Sequence, residues 1–367
     1  MKLPTIILTI IALYLSAFFS HAIFLQKTVY GDGIFYYSWL RSVVVDHDVN
    51  FTNDYAHFHV TQPTDTKDAP GNKYSIGPAE LWSPAYLSVH TMLHGDGWGL
   101  PYQLAVGFTS VLAALFGLAM TSRFIKKSPG VTGITILLIA GATNLVFYGS
   151  LDAVNSHALS FFAAATFVAL LTSPSIEWVA VGVFLGVLSS IRLQDAVFVI
   201  LIFPYWKKIR WLPLLGGFAI AMLPQLFAWY ALYGSLANPY LTGGEHFDFL
   251  HPHILGVLFS PTNGLLLWTP IVAVGIYGLM LKWRTYWSYI AVFVAELLIV
   301  ASWSTWWQGA SVSGRMFVST LPIIAIGLST VIEILYRKRL IRGILPLLAG
   351  AFCLINAMGI FYYLFTN

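Results

Sequence analysis

The residues best placed to do chemistry follow the first apolar run of the chain, in the segment Gly31-Asp32-Gly33. The two glycines let the backbone turn sharply and approach a ligand closely. A carboxylate beside a lipid bilayer is costly unless it is solvated, paired or used. Asp32 is therefore the first candidate for a general base or a metal-associated carboxylate, with a helix cap or a solvated loop acid as the alternative. Tyr36 and Tyr37 are candidate substrate contacts, although tyrosines are also common at membrane interfaces.

A second acidic cluster follows in the same loop. Asp46 and Asp48 are alternative catalytic carboxylates, and their spacing to Asn50 resembles the start of a calcium-binding loop. The pattern then breaks, because Phe51 stands where such a loop needs glycine and His57 where it needs a bidentate glutamate. A divalent cation such as Mg²⁺, Mn²⁺ or Ca²⁺ is thus an alternative cofactor, and we expect no absolute metal requirement.

Charged side chains inside apolar runs are functional candidates by default. Arg192 precedes Gln194 where an apolar stretch breaks, and Arg315 follows a loop that contains glycine. The planar arginine fork binds two oxygens of a phosphate group. Both arginines, together with Gln194 and His157, are therefore candidate phosphate ligands. The alternative role of Arg192 is a structural ion pair with Asp195.

Lys73 and three aromatic residues complete the candidate set. Lys73 is either a further phosphate ligand or a charge balance for the acidic loop around it. Tyr74 follows it directly, and Trp306 and Trp307 precede Arg315, so these rings are candidate substrate contacts. The alternative interpretation is an aromatic belt at the membrane interface.

The composition indicates a polytopic membrane protein. Hydrophobic residues make up 58% of the chain and charged residues 9%, whereas a soluble domain carries about 25% charged residues. The net charge of +4 does not indicate nucleic acid as a partner, because the basic residues lie in short loops between apolar runs. Cys353 is the single cysteine, which excludes a disulfide within the chain.

Long apolar runs define the fold that must position these residues. A helix needs about 17–25 apolar residues to cross a bilayer. From the runs of that length we predict an all-α membrane protein, a helical bundle of about eleven transmembrane helices. The bundle is predicted to form a single domain over residues 1–367. The region 79–94 is too short and predicts an interfacial helix within a long loop, 26–100. Residues 175–206 are long enough for two short spans. The other predicted spans are 4–25, 101–122, 131–149, 155–173, 211–233, 264–281, 286–303, 315–335 and 343–363.

The distribution of charge predicts the orientation of these spans. In the predicted layout the basic clusters between spans fall on the same side as Lys2, which the positive-inside rule makes cytoplasmic. Most acidic residues and all histidines fall on the opposite side or at the outer halves of helices. The N-terminus is therefore predicted in the cytoplasm and the polar chemistry outside. The basic clusters are Arg123 with Lys126 and Lys127, Lys207 with Lys208 and Arg210, Lys282 with Arg284, and Arg337 with Lys338, Arg339 and Arg342.

Several short motifs, spread over most of the chain, are similar to those of one family of membrane enzymes. They are Asp32-Gly33 with Tyr36-Tyr37, the segment from Asp46 to Tyr55, Lys73 to Pro78, Ser156-His157, Arg192 to Gln194, and Trp307 to Arg315. The chain resembles polytopic glycosyltransferases of the GT-C superfamily, in particular bacterial members. The resemblance implies that a sugar is taken from a polyprenyl-phosphate carrier and transferred outside the cytoplasmic membrane, with a catalytic carboxylate in the first outer loop. We expect no soluble C-terminal domain of the kind that larger members carry, which leaves the glycan or lipid acceptor open.

Elementary chemistry agrees with that implication. The acceptor hydroxyl needs a base, which Asp32 supplies, and the departing lipid phosphate needs positive charge. A transporter or flippase of a lipid-linked glycan is the main alternative, since it also needs broken helices and outer arginines. A non-catalytic assembly subunit is a third hypothesis, but it gives no reason for the acidic cluster. The expected partners are the lipid-linked sugar, its acceptor and membrane lipids, and no nucleic acid.

The predicted orientation can be tested by labelling. Cysteines introduced at Asp68 and at Ser128, in a Cys353→Ser background, fall in the first outer loop and in a basic loop. An impermeant thiol reagent applied to intact cells should modify the first and spare the second. Labelling at both positions, or the reverse pattern, contradicts the layout.

Overall fold

The computed structural model describes residues 3–61 and 70–366, so Asp68 lies outside the described residues. Within these ranges the chain is helical and contains no β-strand. Two π-helical turns, Ser42–Asp46 and Phe147–Leu151, and two 3₁₀ helices, Leu193–Lys208 and Arg315–Thr320, interrupt the α-helices. The α-helices are α1 Leu3–Leu25, α2 Gly33–Arg41, α3 Thr52–Phe58, α4 Gly77–Leu93, α5 Leu100–Ile125, α6 Pro129–Gly141, α7 His157–Leu171, α8 Trp178–Ile191, α9 Trp211–Tyr233, α10 Pro239–Thr242, α11 Ile254–Phe259, α12 Leu265–Trp268, α13 Ile271–Leu281, α14 Trp283–Ser302, α15 Leu321–Tyr336 and α16 Arg339–Thr366.

Six helices in the described ranges are long and apolar enough to cross a bilayer. Their presence confirms a multi-pass integral membrane protein. A chain in lipid must satisfy its backbone hydrogen bonds internally, and a helix does so within one segment. Four shorter apolar helices, α6, α7, α8 and α13, lie among them. The six long helices are Leu3–Leu25, Leu100–Ile125, Trp211–Tyr233, Trp283–Ser302, Arg315–Tyr336 and Arg339–Thr366.

The predicted pair of short spans in 175–206 takes an unusual form. The first part is α8, and the second is the 3₁₀ helix Leu193–Lys208, which has 16 residues. A 3₁₀ helix rises about 2.0 Å per residue, so this one extends about 32 Å. That length matches the hydrocarbon core of a bilayer, about 30 Å. The junction between the two helices is Arg192, whose backbone is extended.

Close contacts between small residues hold neighbouring helices together. A Cβ atom on Gly278 of α13 would lie 1.9 Å from the carbonyl oxygen of Gly327 in α15. Only glycine allows the two backbones to approach so closely, which is the usual means of association for helices in membranes. The outward faces of the bundle are apolar, for example Leu354 and Phe361 of α16, which are 61% and 63% exposed and match a lipid environment.

The long segment between α1 and α5 is folded onto one end of the bundle. Helix α4 packs against α2 and α5, and its Trp82 and Tyr86 are fully buried. Two hydrogen bonds tie the segment around Tyr74 to α2: Trp39 Nε1 donates to the Tyr74 carbonyl at 2.8 Å, and Asn72 Nδ2 donates to the Phe35 carbonyl at 2.7 Å. The described part of this segment is therefore an ordered cap that positions the residues near Asp32.

Candidate functional site

Three segments that are distant in sequence meet at the Asp32 carboxylate. Tyr74 Oη donates a hydrogen bond to Oδ1 at 2.9 Å, and Arg315 Nη1 forms an ion pair with Oδ2 at 2.8 Å. The Asp32 side chain is 32% exposed and that of Arg315 is 18% exposed. An ionised carboxylate offers about four lone-pair positions, so acceptor capacity remains on Asp32.

Local backbone chemistry brings Asp32 to this position. Gly31 adopts φ +54°, a left-handed conformation that glycine adopts at little cost, and α2 begins two residues later. A Cβ atom on Gly33 would lie 2.1 Å from the Val154 carbonyl oxygen. The start of α2 is therefore pressed against the turn before α7, which carries further polar residues of the site.

Tyr74 is held by aromatic packing and remains a hydrogen-bond donor. Its ring stacks on Phe35 at 4.7 Å between centroids and meets Tyr36 edge-on at 5.2 Å. Burial raises the pKa of Tyr74 above its usual value, and the Asp32 charge raises it further. The phenol is thus protonated at neutral pH and donates its hydrogen to the carboxylate.

The second arginine forms a neighbouring polar group. Arg192 Nη1 lies 2.5 Å from His157 Nδ1, and Nη2 donates to Gln194 Oε1 at 3.2 Å and to the Met316 sulfur. Because an arginine is always protonated, it is the donor and Nδ1 of His157 is the acceptor. In the described part of the chain no ion pair within 4.0 Å joins Arg192 to Asp195, so the alternative of a direct Arg192–Asp195 pair is wrong.

Tyr36 connects the two polar groups. Its hydroxyl bonds to Ser156 Oγ at 3.2 Å, one residue before His157. Both arginines lie within electrostatic range of His157 and of Tyr36. The structure thus brings together six residues that the sequence singled out, namely Asp32, Tyr36, Tyr74, His157, Arg192 and Arg315.

Asp152 is a further acid beside this group that the candidate set omitted. Burial raises its pKa to about 7, the nearby Arg315 charge opposes the increase, and the Asp32 charge adds to it. A carboxyl with such a pKa changes charge near neutral pH and is suited to acid–base chemistry. The sequence places Asp152 with His157 at the start of one apolar run, but its proximity to Arg315 and Asp32 is created by segments far along the chain.

Lys73 lies at the rim of the site and joins two loops. Its Nζ forms an ion pair with Glu245 Oε1 at 2.7 Å and lies 4.9 Å above the Tyr240 ring. Glu245 Oε2 in turn accepts from Trp303 Nε1 at 2.6 Å. The described contacts of Lys73 therefore support charge balance within the rim, the simpler of its two predicted roles.

The second acidic cluster gathers around Arg41 and not around Asp32. Asp46 forms an ion pair with Arg41, and Asp54 lies 3.7 Å from the same guanidinium. Asp48 accepts from Ser42 Oγ at 2.7 Å and from the Asn50 backbone. These contacts place Asp46 and Asp48 around Arg41 and its neighbouring donors, apart from the Asp32 carboxylate.

The same cluster does not form a recognisable metal centre. Within residues 3–61 and 70–366 no group of three or more His, Cys, Asp or Glu side chains is arranged to hold a metal ion. The pKa of Asp54 is raised from 3.8 to about 6. Burial causes the increase, and the Trp98 hydrogen bond and the Arg41 charge partly oppose it.

Three predicted aromatic contacts lie apart from the Asp32 group. The Tyr37 hydroxyl donates to the Gly97 carbonyl, and its ring packs on Tyr86. Trp306 stacks on His253 at 4.8 Å, and Trp307 is 49% exposed. The described contacts of Tyr37 are structural, and the two tryptophan rings contact each other edge-on at 6.1 Å.

Comparison with known proteins gives no family assignment. No protein-family model matches the chain, and no curated protein matches its sequence. The function must therefore be argued from the geometry of the site.

The raised pKa of Asp152 predicts a pH-dependent stability. Because folding raises this pKa from 3.8 to about 7, the associated stability is present below about pH 4 and is lost as the pH rises through about 7. Asp152→Asn should therefore be more thermostable than the wild type above about pH 7, by about 2–4 °C, the shift that about 1 kcal/mol causes in a large domain.

Thermal unfolding of the purified protein, followed by tryptophan fluorescence from about pH 5 to pH 8, measures this difference. Asp248→Asn is the control, because Asp248 is exposed and its pKa is lowered by the His251 hydrogen bond. A difference in Tm between Asp152→Asn and the wild type that stays constant over this range rules out the assignment.

Proposed function

We propose that this chain is an integral-membrane glycosyltransferase with a GT-C-like fold and about eleven spans. It moves a sugar from a polyprenyl-phosphate carrier to an acceptor on the extracytoplasmic side, in the cytoplasmic membrane of a bacterium. The observation that carries the proposal is the arrangement of Asp32, between Tyr74 and Arg315, next to the Arg192–His157 pair. This arrangement places a base and a cationic anion-binding group side by side.

The base side of the reaction belongs to Asp32. Its carboxylate accepts the proton of the acceptor hydroxyl as the acceptor oxygen forms a bond to the anomeric carbon of the sugar. Tyr74 and Arg315 each engage one carboxylate oxygen. These two contacts orient the carboxylate and leave lone pairs for the hydroxyl.

The leaving-group side belongs to the arginines and His157. The bond between the anomeric carbon and the phosphate oxygen breaks, and the electron pair stays on the lipid phosphate. Cationic donors aimed at that oxygen stabilise the developing charge. Arg315 Nε is buried and has no partner among the described residues, so this guanidinium retains a free donor besides its bond to Asp32.

A carrier of lipid-linked glycans is the second candidate function. The observation that favours it is the pair of fully buried acids, Asp195 and Glu296, between helices of the bundle. Buried acids of this kind also occur along transport pathways. Transfer of a radiolabelled sugar to an acceptor by the purified protein separates an enzyme from a carrier, which moves its substrate unchanged.

The proposed role of Asp32 predicts a large loss of turnover on amide substitution. Asp32→Asn keeps the shape of the side chain and removes its basicity, so kcat should fall by about 10²–10⁴, the usual contribution of a positioned base. Binding of a polyprenyl phosphate should persist. Sugar transfer and lipid binding measured on the purified variant provide both values.

Asp48→Asn is the matched control for this experiment. It removes a carboxylate of the same loop that contacts Ser42 and Asn50, and it should retain most of the activity. The assignment moves to the second cluster if Asp48→Asn is inactive while Asp32→Asn works normally.

The phosphate site is tested by replacing each arginine with lysine. Lysine keeps the charge but loses the planar fork, so Arg192→Lys and Arg315→Lys should each weaken binding of a polyprenyl phosphate by about tenfold or more, in the range of a lost charged hydrogen bond. Arg284→Lys, far from the site in sequence and predicted in a cytoplasmic loop, is the control. Normal lipid binding by both folded site variants would refute the phosphate site.

A further inference from the structure

Two carboxyl groups face each other inside the bundle, apart from the Asp32 site. Asp195 lies in the first turn of the 3₁₀ helix Leu193–Lys208, and Glu296 lies within α14. Both residues are 0% exposed. Their side chains lie within hydrogen-bonding range of each other.

The described hydrogen-bond donors around this pair leave one carboxylate oxygen without a partner. Asp195 accepts from Ser160 Oγ at 2.6 Å and from Ser319 Oγ at 2.8 Å, and Glu296 Oε1 accepts from Gln194 Nε2. Glu296 Oε2 is buried and receives no hydrogen from any described donor. Two ionised carboxylates in such contact repel each other, whereas one proton between them removes the repulsion and supplies the missing donor.

The charges around the pair fit the presence of one proton. Arg192 lies within electrostatic range of both carboxyls. Arg192 in turn lies near His157 on α7, and Arg315, at the start of the 3₁₀ helix that packs on α7 and α14, is within electrostatic range of His157. His157 accepts from Arg192, and Arg315 pairs with Asp32. A pair that shares one proton carries a single negative charge, which balances Arg192.

We propose that Asp195 and Glu296 share one proton and, through Gln194, position Arg192 for its ligand. Gln194 Nε2 donates to Glu296, and its Oε1 accepts from Arg192 Nη2 at 3.2 Å. Arg192 then donates to His157 Nδ1, which places the imidazole proton on Nε2. No hydrogen bond in the described part of the chain uses that Nε2–H, so it is free to donate to an anionic oxygen.

Within the described residues no group of three or more His, Cys, Asp or Glu side chains, at this pair or elsewhere, is arranged to hold a metal ion. The proton is independent of the proposed reaction. The positioning of Arg192 for a lipid phosphate rests on the proposed function.

Infrared spectroscopy tests the proton directly. The carbonyl stretch of a protonated carboxyl is separate from the bands of a carboxylate. At about pH 9 Glu80 and Asp152, whose pKa values are about 7, are ionised and do not contribute to this band. The band that the wild type shows at this pH should therefore come from the Asp195–Glu296 pair. Glu296→Gln and Asp195→Asn should each lose it, since the amide N–H replaces the shared proton and the remaining carboxyl is ionised. Glu80→Gln is the control and should keep the band.

The alternative spectra are equally informative. Absence of the band in the wild type means that both carboxyls are ionised, and a band that survives in both single amide variants means that both are protonated. Either result overturns the shared proton. Glu296→Gln leaves the pair with a single negative charge and keeps its hydrogen bonds, so this variant should fold and bind like the wild type. Glu296→Leu, in contrast, removes the acceptor of Gln194.

A double-mutant cycle tests the positioning, with farnesyl phosphate as the probe. Glu296→Leu should weaken its binding about tenfold, as expected for a partner behind a ligand-binding side chain, and should cause no further loss in an Arg192→Lys background. Equal losses in both backgrounds indicate a general structural effect and overturn the positioning role. Failure of the wild type to bind farnesyl phosphate refutes the proposed function and this role together, while the infrared band still decides the proton.

Discussion

The ion pair between Asp32 and Arg315 joins residues 283 positions apart in the chain and is the contact on which the site depends. Neither charge is fully solvated, and an unpaired charge in such a setting carries a desolvation cost of several kcal/mol. Each residue therefore requires the other. Their pairing brings the start of α2 to the 3₁₀ helix before α15, and Tyr74 reaches the same carboxylate from a third segment.

A second arginine in the bundle also has its charge compensated by nearby acids. Arg315 is balanced by Asp32, and Arg192 by the buried acids that adjoin Gln194. His157 lies within electrostatic range of both arginines and accepts from Arg192. Both cations thus have compensating acids nearby, as charges in a largely apolar protein require.

Helix packing in the remainder of the fold holds these groups in place. Glycine contacts such as Gly278 against Gly327 bring helices close together, and close packing makes the bundle resistant to small displacements. The ordered cap between α1 and α5 lies over the same end of the bundle. The ion pair of Lys73 with Glu245 ties that cap to the segment that follows α10.

Hydropathy and helix length are local properties, and for this reason the amino-acid sequence alone determined the membrane class and the positions of the long helices. A charge within or just after an apolar run is conspicuous for the same reason, so Asp32, Arg192 and Arg315 were identifiable without the structure. Tertiary packing alone decided that Asp46 belongs with Arg41 and that Asp152 lies near Arg315. Partners brought together from distant segments depend on which surfaces meet, and no local pattern of residues records that information.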